Sequence, residues 1–198
     1  MKCPRCGSER IAEILYGMPA FDDDLKRRLD SKEVYLGGCC ISEFIPRYHC
    51  NKCRKDFGTA PYLFGRDGQE DYRDVVTSIH FEDGGFFHGF VRITISRSDE
   101  GIKAEICPRY SSDPVTLNVS EEEWRSLVDA LFCKLFLHEW KKSFVDPDIL
   151  DGEQWELKLQ LTGSRVRNYH GSNDYPACWD ELRALFLPYC QAAGIETE

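Results

Sequence analysis

The sequence has no hydrophobic run that is long enough to cross a membrane. Its most apolar stretch runs from Leu131 to Leu137 and is interrupted by Lys134, whereas a membrane-spanning helix needs about 20 apolar residues. The residues after Met1 also lack the apolar core of about 7–15 residues that a secretory signal requires. We therefore expect a cytoplasmic protein that does not bind a membrane.

Basic residues are too few for a general nucleic-acid binder. The chain has 25 Lys and Arg against 34 Asp and Glu, a net charge of -9, whereas such proteins usually carry a basic patch. The deficit is uneven, because residues 1–60 hold 11 basic and 9 acidic side chains (+2), which leaves 14 and 25 (-11) for residues 61–198. This change in charge predicts two domains, 1–60 and 61–198.

Cysteine, in contrast, is abundant, with 10 in 198 residues. Disulfides do not persist in a reducing cytosol, so metal ligation or burial of the thiols is expected instead. Two pairs share a gap of two residues, and such a gap lets one tight turn present two thiolates to the same ion. Two turns complete the tetrahedral shell of a structural zinc site. The predicted ligands are Cys3, Cys6, Cys50 and Cys53.

The residues around the two pairs agree with this interpretation. Pro4 fixes the backbone early in the first turn, and Gly7 is able to adopt the left-handed conformation after it. Arg54 stands at the place in the second turn where glycine would be easiest. Four thiolates on one Zn²⁺ carry a local charge of -2, which neighbouring cations would offset; these are Lys2, Arg5, Lys52 and Arg54.

Several alternatives remain open at the cysteines. Iron in a rubredoxin-like site is the chemical rival of zinc, and the turns would also exist without a metal. Cys39 and Cys40 would either pack within their own segment, replace one of the four ligands or serve a redox role. Adjacent cysteines point apart, so we favour packing.

The Cys-Pro-x-Cys-Gly and Cys-x-x-Cys turns resemble those of the zinc-ribbon family over residues 1–58. The resemblance implies two knuckles from separate hairpins that grip one structural Zn²⁺ in a closed, non-catalytic site. The 43 residues between Cys6 and Cys50 exceed the about 15–20 of compact sites. An insertion at about 17–43 accounts for the excess, and its pattern predicts a helix at 22–29 and a strand at 34–36. Further strands are predicted at 11–16 and 44–49.

The rest of the chain predicts an α+β domain in which an antiparallel sheet packs against two helices. Alternating apolar residues predict strands at 75–81, 90–96, 102–106, 115–119, 155–161 and 165–169. A capping box at Ser120 and Glu123 opens a helix whose apolar stripe extends to Phe144. A last helix is predicted from Pro176, with Pro188 ending or kinking it.

Short motifs in this second part resemble uncharacterised bacterial proteins, and that resemblance implies no activity. They are Glu139-Trp140-Lys141, Asp151-Gly152-x-x-Trp155 and Gly171-Ser172-Asn173-x-Tyr175-Pro176. We identify no catalytic residue by sequence, and the oligomeric state is left open. The favoured hypothesis is a non-catalytic interaction or regulatory module, in which zinc fixes a surface for another protein.

Two alternative functions are retained. One is nucleic-acid binding through the ribbon, carried by Lys2, Arg5, Arg10, Arg47, Lys52, Arg54 and Lys55. The other is an enzyme or small-anion binder in the second domain, with a ligand site at Arg165, Arg167, His170 and Asn173. The simpler interpretation of that last region is that Ser172, Asn173 or Asp174 caps the final helix.

Overall fold

A computed structural model describes residues 1–39, 42, 44–65, 68–85, 87, 89–110, 113–149 and 152–195. It confirms the α+β class, since two sheets and a small hairpin are combined with four α-helices in these ranges. Cys40 and Asp151 lie outside the described residues. No helix in the described part of the chain is both long and apolar enough to span a membrane.

The N-terminal sheet has four strands in the order β2-β1-β3-β4. The predicted helix and strand of the insertion are both present, and they form a parallel β-α-β unit with β1 rather than a separate lobe. The strand predicted from residue 44 begins only at Tyr48, because Pro46 has no N–H to contribute to the ladder. The elements are β1 Ile11–Tyr16, α1 Asp23–Asp30, β2 Val34–Gly38, β3 Tyr48–Cys50 and β4 Asp56–Phe57.

A short hairpin and one helical turn connect the two sheets. Strands β5 Tyr62–Gly65 and β6 Gly68–Asp71 pair with each other, and α2 Tyr72–Val75 follows. The ring of Tyr72 stacks on that of Phe132, with centroids 4.8 Å apart. This stack ties the connection to the core of the second sheet.

The second sheet has seven strands in the order β10-β9-β8-β7-β12-β13-β11. All neighbouring strands are antiparallel except β11 and β13, so the predicted meander and the later hairpin are confirmed. The strands are β7 Val76–Gly85, β8 Gly89–Ser98, β9 Gly101–Cys107, β10 Val115–Val119, β11 Ser143–Val145, β12 Glu153–Leu161 and β13 Arg165–Ser172.

One face of this sheet forms the core. Odd-numbered residues of the central strands point inward, and Ile79, Ile93 and Leu157 are fully buried there. Helices α3 Glu121–Asp129 and α4 Trp179–Ala192 pack against this face. The opposite face carries polar side chains such as the Glu82–Arg92 ion pair. Alternation with a period of two produces this division.

The helix predicted to run to Phe144 is shorter than its apolar stripe. Its α-helical part ends at Asp129, and a π-helical turn at Ala130–Lys134 follows. Phe136 then adopts a left-handed conformation with φ 53°, and the indole of Trp140 donates to the carbonyl of Leu135 at 2.8 Å. The predicted length was wrong because the apolar stripe includes Phe144, which is buried but lies on strand β11 and not on the helix.

The last helix also departs from expectation. It begins at Trp179 rather than near Pro176, and Pro188 lies inside it without ending it. None of the side chains at 172–174 caps α4, since its N-cap is Cys178 and makes no side-chain cap bond. The helix continues past Pro188 because its apolar side is anchored in the core on both sides of the proline, by Phe186 and Cys190.

The two parts of the chain meet at the turn that follows the π-helical segment. One oxygen of Glu139 accepts hydrogen bonds from the N–H groups of Gly58 and Thr59 at 2.8 and 2.9 Å, and from the Thr59 hydroxyl at 2.9 Å. The Lys2 ammonium forms an ion pair with Glu181 at 2.6 Å. These contacts cross residue 60, and the division into domains at that point stays a prediction.

We expect replacement of Glu139 by alanine to weaken the whole fold. The variant removes the acceptor of three donors, and a buried donor without a partner costs about 1–3 kcal/mol. The free energy of unfolding in urea should fall by about 2–4 kcal/mol. The matched control, Glu122→Ala, removes an exposed carboxylate of α3 and should change it by less than about 0.5 kcal/mol. Equal effects of the two variants would contradict the proposed role of Glu139.

Candidate metal centre

The four predicted cysteine ligands lie together in space. The Sγ atoms of Cys3 and Cys53 are 3.8 Å apart, and those of Cys6 and Cys50 are 3.6 Å apart. All four sulfur atoms lie within 4.8 Å of one another. A tetrahedron of thiolates at about 2.3 Å from a metal places its sulfurs about 3.8 Å apart. The residues present therefore fit a metal ion, and the distances are far from the about 2.05 Å of a disulfide.

Two similar turns bring the sulfurs to this position. In each turn the residue four places after the first cysteine donates its N–H to that cysteine's carbonyl: Gly7 to Cys3 at 2.9 Å and Arg54 to Cys50 at 2.8 Å. Both donors are left-handed, with φ 67° and 58°. The positive φ of Gly7 confirms the left-handed conformation predicted for it. Arg54, at the equivalent place in the second turn, adopts the same conformation.

The cluster is closed on most sides. Cys3 and Cys50 are fully buried, and Phe57 and Phe136 belong to the same small core. The rings of these two phenylalanines are 5.4 Å apart in an edge-to-face arrangement. Cys6 and Cys53 are half-buried, and four thiols match the ligand number of a tetrahedral structural site.

The protein environment shifts the pKa values of the Cys3 and Cys50 thiols in opposite directions. Burial raises the pKa of the Cys3 thiol to about 12. Burial acts in the same direction on Cys50, but the backbone N–H groups of Cys53 and Lys52 and the adjacent thiols outweigh it and lower its pKa to about 6. The environment thus favours the thiolate at Cys50 and the protonated thiol at Cys3, and ligation of a metal requires the thiolate form.

The four cations expected to offset the charge of the thiolates differ in whether they already form an ion pair. Lys2 forms its ion pair with Glu181 and is engaged with α4. Arg5, Lys52 and Arg54 form no ion pair with any residue that the structure describes. Their charges are therefore free to offset the thiolates or to contact a partner.

The remaining described cysteines do not join the cluster. Cys39 is exposed at the end of β2, and within the described residues the only group of potential ligands contains neither Cys39 nor any acidic residue. Cys133 is also exposed, whereas Cys178 and Cys190 are buried. A replacement of one ligand by Cys39 is thus not seen.

Two of the four predicted anion-site residues lie on one face of β13. Arg165 and Arg167 are two residues apart on this strand, so their side chains project from the same face of the sheet. Arg165 is already paired with the carboxylate of Glu70 at 2.6 Å, and the guanidinium of Arg167 lies 5.7 Å from the ring centroid of Tyr72. Both cations therefore have partners within the protein.

The other two residues lie elsewhere. His170 has an even number, so its side chain projects to the opposite face of the sheet from Arg165 and Arg167, and it is exposed. Asn173 follows the strand with φ 53°, and its Oδ1 accepts the N–H of Glu153 at 2.9 Å. The structure does not bring the four side chains to one point, and an anion site made of them stays a prediction.

Two side chains that support the cluster were not found from the sequence. Phe136 and Glu139 are about 80 residues from the second turn, and the helical stripe assigned them to a helix face. Phe136 reaches the cluster only because the chain turns left-handed at that residue. The one signal that the sequence gives for Phe136 is its position in an apolar run. This signal predicts that the side chain is buried, but it does not identify the residues against which the ring packs.

We expect Arg54→Gly to stabilise the protein relative to Arg54→Ala. Both variants remove the same charge, but a residue with a Cβ pays about 1–2 kcal/mol in the left-handed region and glycine does not. The difference should appear as about 1 kcal/mol in the free energy of unfolding of the metal-loaded protein. Gly7→Ala, at the equivalent place in the first turn, should lose a similar amount. Identical stabilities of the two Arg54 variants would contradict this account of the second turn.

The chain matches no protein-family model, no curated protein and no solved structure. The argument for the site therefore rests on its geometry. Four thiols in two similar turns, at the distances of a tetrahedral centre, form a possible metal-binding site that is similar to that of a zinc ribbon.

Proposed function

We propose that this protein holds one structural Zn²⁺ at Cys3, Cys6, Cys50 and Cys53 and acts as a non-catalytic interaction module. The observation that carries the proposal is the cluster of four sulfurs, all within 4.8 Å of one another. Thiolate ligands in this geometry are typical of zinc or of iron. Zinc needs no redox partner to serve as a structural ion, and Phe57 and Phe136 pack beside the cysteines in one small apolar core.

Metal analysis tests the first half of the proposal. The purified full-length protein should contain about one zinc per chain by mass spectrometry of the element, and Cys3→Ser should lose it. Because zinc binding in such turns contributes about 10–16 kcal/mol, loss of the metal should also remove cooperative melting of the N-terminal sheet. Cys133→Ser, an exposed cysteine outside the cluster, is the control and should keep its metal. One iron per chain, or unchanged zinc in Cys3→Ser, would overturn the assignment.

The proposed contact surface lies on the insertion. Of the 11 large exposed hydrophobic side chains in the described residues, five fall between residues 18 and 44. Met18 and Phe21 are the most exposed of the five, and we call this pair the insertion surface; the other three are Tyr35, Leu36 and Phe44. Met18 is 93% exposed and Phe21 71% exposed, and concentrated exposed apolar surface is typical of protein-binding sites.

The position of β2 supports the same surface. This strand is at an edge of the N-terminal sheet, so one side of its backbone has no strand partner among the described residues. An open edge strand is able to pair with an extended segment of another protein. The metal would stabilise this edge strand indirectly. Strand β1 pairs with both β2 and β3, and the last residue of β3 is the proposed ligand Cys50.

Substitutions in the insertion surface test the second half of the proposal. The double variant Met18→Ser/Phe21→Ser should keep its zinc and its melting temperature, since both side chains are exposed. It should lose the partner that copurifies stoichiometrically with the wild-type protein from its source cells. Ile149→Ser, which changes an exposed apolar residue of the second part, should retain that partner. Retention by the double variant, or loss by the control, would contradict the assigned surface.

Nucleic-acid binding through the ribbon is the second candidate, and one observation favours it. Of its seven predicted basic residues, all but Lys2 form no ion pair within the described chain. The ring of Tyr35 also stacks on His49 with centroids 4.3 Å apart, and aromatic rings beside cations suit unpaired bases. A labelled single-stranded oligonucleotide separates the two candidates: salt-sensitive binding that Lys55→Gln weakens supports this one, and no binding at low salt excludes it.

A further inference from the structure

Strand β10 is an edge of the seven-stranded sheet, and it lacks the features that usually protect such an edge. Its sequence, Val-Thr-Leu-Asn-Val, contains no charge, proline or glycine, and its register with β9 has no bulge. The opposite edge is different, because β11 has only three residues and lies between Lys142 and Pro147. An edge strand without such protection tends to pair with another strand. On its outer side, β10 has no strand partner among the residues that the structure describes.

An open groove runs beside this edge, between β10, α3 and α4. Leu117, Leu185 and Tyr189 are half-buried in its wall, and Pro188 is exposed. Part of this apolar area is therefore in contact with water. An occupant that brings both a free strand edge and apolar side chains would satisfy the backbone and cover the groove at the same time.

The sequence of β10 is complementary to itself. An antiparallel partner strand, related by a two-fold axis through Leu117, would place Val115 opposite Val119 and Thr116 opposite Asn118 of the second copy. Residues that differ by an even number lie on the same face of a strand, so the apolar row of one copy would continue into the apolar row of the other. A two-fold interface requires this kind of self-complementarity.

Charges on the polar face of the sheet favour the same register. On β9, the exposed Glu105 lies beside Thr116, and the exposed Lys103 lies beside Asn118. With the axis at Leu117, each row across the joined sheets has Glu105 on one side and Lys103 of the second copy on the other. An axis at Thr116 would instead align Glu105 with Glu105 of the second copy, and an axis at Asn118 would align the two copies of Lys103. Complementary charges set the register of an interface more than its affinity.

We propose that two copies of this chain associate through antiparallel pairing of their β10 strands about a two-fold axis at Leu117. The two seven-stranded sheets then form one continuous sheet, and the two grooves adjoin on the same side of it. The proposal does not depend on the metal centre or on the insertion surface. A dimer would present two insertion surfaces, so it would hold a partner with two binding sites more tightly than one copy does.

Sedimentation equilibrium of the full-length protein tests the association. One chain has a mass of 22.9 kDa, and the fitted mass should approach twice this value as the protein concentration rises to about 100 μM. The mass of a single chain at that concentration would overturn the proposal. This is also the result expected if β10 pairs only with an extended segment of another protein.

Two double variants that differ at one residue test the register. Thr116 and Asn118 are exposed, so both variants should fold, and an unchanged circular dichroism spectrum checks this. Thr116→Lys/Asn118→Lys places like charges opposite each other across the axis and should weaken dimerisation by at least about tenfold. Thr116→Lys/Asn118→Glu places opposite charges there and should dimerise at least as tightly as the wild-type protein. Equal dimerisation of the two variants would overturn the proposed pairing.

A variant at the opposite edge of the sheet is the control. Val145 is 52% exposed on β11, so Val145→Lys should fold and should leave the dimer unchanged. Loss of the dimer in this variant would assign the interface to β11 and would overturn the role of β10.

Discussion

The convergence of four sulfur atoms from two turns is the constraint on which the N-terminal part of the structure depends. Each turn is local, because a hydrogen bond back to the first cysteine of the pair and one left-handed residue are enough to form it. The approach of the turns to each other is not local, since 43 residues separate Cys6 from Cys50. A sheet of short strands holds them in place, although burial raises the pKa of the Cys3 thiol.

The second part of the chain completes this centre. Phe136 belongs to the same apolar cluster as Cys3 and Cys50, and the carboxylate of Glu139 binds the backbone just after β4. Both residues follow a π-helical turn that ends the longer helix early. The interrupted helix thus has a structural purpose, because a regular helix would not direct Phe136 toward the cysteines.

Two features depart from the regular pattern of an apolar core and a polar surface. The seven-stranded sheet alternates apolar and polar residues, and Asp83 is a carboxylate in a row otherwise occupied by Val91 and Trp155. In the N-terminal part, the insertion contributes an edge strand and exposed apolar side chains where polar ones are expected. A carboxylate in a core row is costly unless it is paired, and Asp83 forms an ion pair with Arg183. Exposed apolar side chains that lie close together are typical of interaction sites.

The sequence alone determined the features that depend on near neighbours. The spacing of the cysteines identified the four residues that cluster, and alternation identified the strands of the meander, because both patterns are set within a few residues. Tertiary structure decided where long apolar stripes end: Phe136, Trp140 and Phe144 have helical spacing, but three different local structures bury them. It also decided which charges are paired, since Lys2 and Arg165 have partners that are distant in the chain, whereas Lys52 has no ion-pair partner among the residues that the structure describes. An apolar side chain can be buried against any apolar neighbour, and a charged side chain can pair with any opposite charge. The sequence therefore does not specify the partner of such a side chain, and only the fold determines it.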